Sequence, residues 1–165
     1  MNPQTRLLAS AAVWPLRRPE PMPTQLTPSD VRQSLNAHVA MKGREVWRKY
    51  GPRIGWSELG QLLKDREQVR YPCEIAFDAG PLEPGELVYP KPRGERPEDG
   101  FTIYVRPVFL GRLADVPALV LYQLVVVNYG EFAAPADAET FGAAALGMDE
   151  EDYYQLLCGI ADEVS

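Results

Sequence analysis

The chain is poor in the residues that bind metals and carry out nucleophilic catalysis. It has one His and two Cys in 165 residues. A zinc or di-iron centre needs several His, Cys or carboxylate ligands converging on one point. There is no Cys-x-x-Cys and no His-Glu-x-x-His, so neither a metal nor another cofactor is expected. Phosphate-cradling loops are missing too: no Gly-x-x-x-x-Gly-Lys-Ser/Thr and no Gly-x-Gly-x-x-Gly. Nor is there a Gly-x-Ser-x-Gly elbow for a serine hydrolase. The pair Cys73 and Cys158, far apart in sequence, fits a reduced cytoplasmic protein better than a disulfide framework. The longest apolar run, Pro117 to Val127, falls short of the roughly 20 residues that cross a bilayer, so no membrane association is expected. The stretch Leu7 to Trp14 is short for a signal core. It is followed by Pro15 and Arg17-Arg18 without a small-residue cleavage pattern.

Positive charge is missing from one whole region. From Glu131 to Ser165 there are nine Asp or Glu residues and no Lys or Arg. From Pro28 to Arg53 there are six Lys or Arg against two acids, with aromatic residues among them. Such segments can dock on each other or on partners. The net charge of −6 disfavours a general affinity for nucleic acid. The length suits one domain, able to bury a core without disulfide staples.

Sixteen prolines predict long irregular connections. Residues 1–26 hold five of them and lack sustained periodicity, which predicts a flexible N-terminal tail before a globular domain over 27–165. Thr27-Pro28-Ser29-Asp30 is a helix start. Val31, Leu35, Val39, Val46 and Tyr50 continue one face, and Gly51-Pro52 ends the helix. A shorter helix is expected from Trp56 to Arg66. Strands are expected at Cys73–Asp78, Glu86–Tyr89 and Phe101–Arg106, with Pro90 to Gly100 an exposed loop. Three helices follow: Pro117–Asn128, capped by Asp115 and apolar on nearly every side; Pro135–Leu146, ended by Gly147; and one from Asp149 with an apolar stripe of Tyr153, Leu156, Leu157, Ile160 and Val164. The expected fold is α+β, a small antiparallel sheet of three or four strands packed with four or five helices.

The strongest candidate site is the basic-aromatic stretch, with Arg44, Trp47, Arg48, Lys49, Tyr50 and Arg53 as binding residues. Arginine beside aromatic side chains can anchor a protein interface. The same pattern also suits a solvated helix face over core tryptophans. An internal docking of Arg44, Arg48, Lys49 or Arg53 on the acidic segment Asp149 to Asp152 is a further possibility. His38 with Cys73 could form a base–nucleophile pair if the fold joined them, although a core-edge histidine is the commoner case. Cys158, among Leu156, Leu157 and Ile160, reads as core. Glu74 and Asp78 share a strand face and could divide acid and base work; a solvated strand face is equally polar. Asn128 to Phe132 closes the apolar helix and can edge a pocket. The function expected is therefore non-enzymatic association with a protein partner or with a second copy. The alternative is a small-molecule-binding domain or metal-independent enzyme using Arg, Tyr and carboxylate groups.

Overall fold

A computed structural model describes residues 27–165, and the expectation for residues 1–26 lies outside them. The described chain is α+β, with five α-helices and one three-stranded sheet. In chain order these are α1 (Pro28–Tyr50), α2 (Trp56–Leu62), β1 (Cys73–Phe77), β2 (Val88–Pro92), β3 (Phe101–Val105), α3 (Val116–Tyr129), α4 (Pro135–Leu146) and α5 (Glu150–Glu163).

Local chemistry starts the helices. Thr27 Oγ1 accepts the Asp30 amide and Asp30 Oδ2 accepts the Thr27 amide, each at 3.0 Å. This reciprocal box satisfies two amides that a helix start leaves open. Asp149 caps α5 with a single bond, its side chain accepting the Asp152 amide at 2.8 Å. Asp115 does not cap α3, because its carboxylate is taken by Arg112 at 2.7 Å. Helix α2 stops at Leu62 rather than Arg66. The chain tightens there into turns, with the Lys64 amide on Gln61 and the Asp65 amide on Leu62.

Twelve of the 14 residues of α3 are buried, which makes it the central helix of the core. The helical stretch Leu113–Phe132 is long and apolar enough to cross a membrane by length and composition, but 67% of its most apolar window is buried within the protein. Helices α4 and α5 cover one side of α3, the sheet covers another, and α1 packs on the outside against α4. Helices α1 and α4 run parallel. Arg32 meets Asp137, Asn36 meets Thr140, and Gly43 lies against the Phe141 carbonyl and Ala144. A side chain at Gly43 would collide with that neighbour, so only glycine permits this approach. In α5 the buried stripe is Tyr153 and Ile160, with Leu157 and Val164 packed partly against the core. Leu156 falls off that stripe and is exposed, and Cys158 is half-buried rather than core.

The sheet departs from the antiparallel expectation. Its order is β1-β3-β2, with β3 antiparallel to β2 and parallel to β1. The last strand enters between the first two instead of adding outside them. It is the most apolar of the three, and Phe101, Ile103 and Val105 are all buried. Strand β2 also lies later than expected, over Val88–Pro92. Its two prolines are compatible with pairing because of where they stand. The Arg93 amide bonds the Gly100 carbonyl and the Arg106 amide bonds the Leu87 carbonyl. Alternation along the ladder then leaves Val88, Pro90 and Pro92 at positions whose N–H would face outward. Proline gives up no ladder hydrogen bond there.

Candidate functional site

The basic-aromatic stretch does not act as one unit. Lys49 and Tyr50 point to the second turn of the chain: Lys49 Nζ and Tyr50 Oη both donate to Asp65 Oδ2 at 2.7 Å. Burial pushes the Asp65 carboxyl up, but these two hydrogen bonds and the Glu67 amide outweigh it and hold the carboxyl below its ordinary value. Trp47 is 41% exposed and its indole lies over Gly147, whose φ of +69° ends α4. Arg44, Arg48 and Arg53 are exposed. None of these basic residues reaches Asp149 to Asp152 by a hydrogen bond or ion pair. The contact between α1 and the acidic third is made earlier, by Arg32 to the fully buried Asp137 at 2.9 Å. Asn36 and the Ala134 amide complete the coordination of that carboxylate.

The other candidate pairs stay apart. His38 packs edge-on against the Tyr129 ring, with centroids 5.7 Å apart. Cys73 donates to the Tyr71 carbonyl at 3.4 Å, and burial pushes its thiol up to about 11. At that value the thiol is a poor nucleophile near neutrality. Glu74 is paired with Arg93 at 3.0 Å, whereas Asp78 accepts the Gly80 amide in a turn at 2.8 Å. Among the described residues no three His, Cys, Asp or Glu side chains converge as metal ligands would.

Two apolar grooves flank the sheet. The first, of about 650 Å3, lies between α2 and β1. Trp56, Leu63, Ile75 and Phe77 supply its apolar walls, and Gly60 leaves a gap in the α2 side. Trp56 is 40% exposed and stacks at a tilt on Phe77. The groove adjoins a sheet edge. The register Cys73↔Phe101 to Phe77↔Val105, closed by the Phe101 and Asp78 amides, turns Glu74 and Ala76 towards β3. The backbone N–H and C=O groups of Cys73, Ile75 and Phe77 therefore face outward. No other described residue hydrogen-bonds them.

The second groove, of about 750 Å3, lies between the β2 side of the sheet and the end of α3. Tyr71, Tyr89, Pro90, Phe101, Tyr129 and Phe132 form most of its wall. Its charged groups are few. The Arg70 guanidinium sits 4.9 Å from the Tyr129 ring centroid, and Glu95 and Glu131 stand at the rim. Asn128 anchors this region: its amide donates to the Gln68 carbonyl at 2.8 Å, and its oxygen accepts the Arg70 amide at 2.9 Å. The segment Asn128 to Phe132, marked in the sequence as a possible pocket edge, does line this groove. Tyr71, Tyr89 and Phe101 carry no such local signal, because three separate segments meet there. No known protein family, curated protein or solved structure matches the chain.

Proposed function

We propose that the protein works by association, taking an extended segment of a partner polypeptide as an added strand on β1. One observation carries this reading: the two sheet edges differ in their protection. The β2 edge is blunted by Pro90 and Pro92, with exposed Lys91 between them. Proline and lysine are common devices against unwanted pairing. The β1 edge has neither inside the strand, and an apolar groove lies beside it. Strand addition needs both parts: an open backbone ladder for affinity and pockets for alternate side chains for specificity. Glu74 and Lys64 at the groove leave room for charge selection in the partner.

Two variants test it. Ile75→Pro removes an outward donor without touching a ladder bond to β3. Gly60→Arg places a long side chain across the groove, where a Cβ meets nothing within 4 Å. Extended peptides selected from a display library on the wild-type protein should bind each variant at least about tenfold more weakly, a change of about 1.4 kcal/mol. Circular dichroism checks that both variants are folded. Selected peptides that bind both folded variants as tightly as wild type would overturn the reading. A dimer mass in light scattering that both variants abolish would name a second copy as the partner.

The exposed face of α1 supports a second contact surface, because Arg44 and Arg48, one turn apart, form no ion pair among the described residues. An acidic partner surface fits it.

A further inference from the structure

Strand β1 is itself the kind of segment that its open edge accepts. It is extended over five residues, holds no proline or lysine, and has Cys73, Ile75 and Phe77 on the groove side. Its outward N–H and C=O groups belong to those same three residues. Unprotected edges of this kind template pairing with another chain. Building on the strand addition proposed above, we infer that the added strand is β1 of a second copy, antiparallel about a two-fold axis through Ile75.

Register singles out that axis. In an antiparallel pair, residues that turn their backbone groups towards each other stand directly opposite. With Ile75 opposite its own copy, Cys73 faces Phe77 of the other copy, and every outward donor and acceptor of β1 is used. A shift by two residues leaves some of them unpaired, and a shift by one sets outward groups against inward ones. The side chains agree. On the groove side the smallest of the three, Cys73, meets the largest, Phe77. On the opposite face Glu74 stands across from Ala76 and not from a second Glu74, so no like charges are opposed.

Charge at the strand ends favours a second copy over an unrelated segment. The Arg66 guanidinium is close enough to Cys73 to favour its thiolate, and Asp78 directly follows Phe77. Opposing Cys73 to Phe77 therefore brings Arg66 of each copy to the Asp78 end of the other. Both side chains are exposed, and among the described residues neither forms an ion pair. Arg66 donates to the Leu63 carbonyl, and Asp78 accepts the Gly80 amide. Each contact occurs twice, as a closed two-fold interface requires. The two three-stranded sheets become one, with both α2 helices on the same face.

Charge reversal across the axis tests it in the full chain. Arg66→Asp alone sets acid against acid at both contacts, and Asp78→Arg alone sets base against base. Each should weaken the dimer about tenfold in sedimentation, an effect within reach of two exposed ion pairs turned repulsive. An equimolar mixture of the two variants should recover the wild-type affinity, because each then meets its opposite. Circular dichroism checks that both are folded. The wild type gives a second readout of the register. In a mixture of isotope-labelled and unlabelled copies, an intermolecular Overhauser contact should join the α-protons of Glu74 and Ala76, which lie close in such a pair. A dimer that lacks this contact, survives Ile75→Pro, or is not recovered by mixing the folded variants would overturn the inference. So would a monomeric wild type. If that monomer still bound the selected peptides and lost them on Ile75→Pro, strand addition would stand and only the second copy would fall. Peptides indifferent to both Ile75→Pro and Gly60→Arg would remove the two together.

Discussion

Gly142 is the position where a single added carbon should do most damage. It is buried in α4, and the ring of Tyr153 occupies the space where a Cβ would stand. That ring cannot easily yield. Tyr153 has no solvent exposure, and its hydroxyl donates to the Ala118 carbonyl of α3 at 2.6 Å. Alanine at this site favours the helix by about 1 kcal/mol. Against that gain, forcing the ring aside costs about 1–3 kcal/mol of overpacking. Breaking the buried hydroxyl bond costs about 1–3 kcal/mol more. The expected net loss for Gly142→Ala is about 1–5 kcal/mol on these figures. With a urea slope of about 2 kcal/mol/M, the unfolding midpoint should fall by about 0.5–2.5 M. A double-mutant cycle isolates the cause. In a Tyr153→Leu background the ring is gone, and Gly142→Ala should be neutral or stabilising by up to about 1 kcal/mol. A wild-type background in which Gly142→Ala leaves the midpoint unchanged or raises it would refute the argument, since α4 and α5 would then separate at little cost.

Other outcomes are expected on the same grounds. Leu124, with no solvent exposure in the centre of α3, should cost about 2–5 kcal/mol on replacement by Ala, measured by denaturant unfolding. Burial raises the Tyr153 phenol well above its ordinary value and the Cys73 thiol to about 11. Both groups are held neutral by the fold, so the stability they add is full below their unfolded values and is lost as pH rises through the folded ones. Melting temperature should therefore fall above about pH 9, and ultraviolet titration should show a phenol that ionises only on unfolding. Arg44→Glu with Arg48→Glu should weaken capture of an acidic partner, and the wild-type affinity should itself fade with salt, because exposed charges are screened beyond about 10 Å at 0.1 M. Unchanged capture by the folded double variant, checked by circular dichroism, would return that surface to a plain solvated helix face.

The parts of this fold that were legible in the sequence are those set by neighbouring residues. Thr27 and Asp30 cap α1 through groups three residues apart, and Pro135 and Gly147 bound α4 by backbone preference. The sheet order was not legible. Whether β3 adds beside β2 or slips between β1 and β2 depends on apolar faces meeting across the chain. The prolines of β2 misled for a related reason. Pro90 and Pro92 read as a loop by composition, and only their outward alternation makes them an edge strand. The basic stretch was visible as charge, but its division was not, because Asp65 takes Lys49 and Tyr50 and leaves Arg44 and Arg48 to solvent. The grooves were least legible: Tyr71, Phe101 and Tyr129 come from three segments whose meeting is a property of the packed chain.

The parallel pairing of α1 with α4 also sets a timetable for biosynthesis. The Arg32–Asp137 bond joins residues 105 apart. At synthesis rates of about 5–20 residues per second, α1 leaves the ribosome roughly 5–20 s before its partner helix exists. During that interval Val39 and Val46, both fully buried in the finished protein, have no α4 to cover them. A nascent chain arrested before Pro135 should therefore be protease-sensitive throughout α1 and a ready client for chaperones that hold exposed apolar helices.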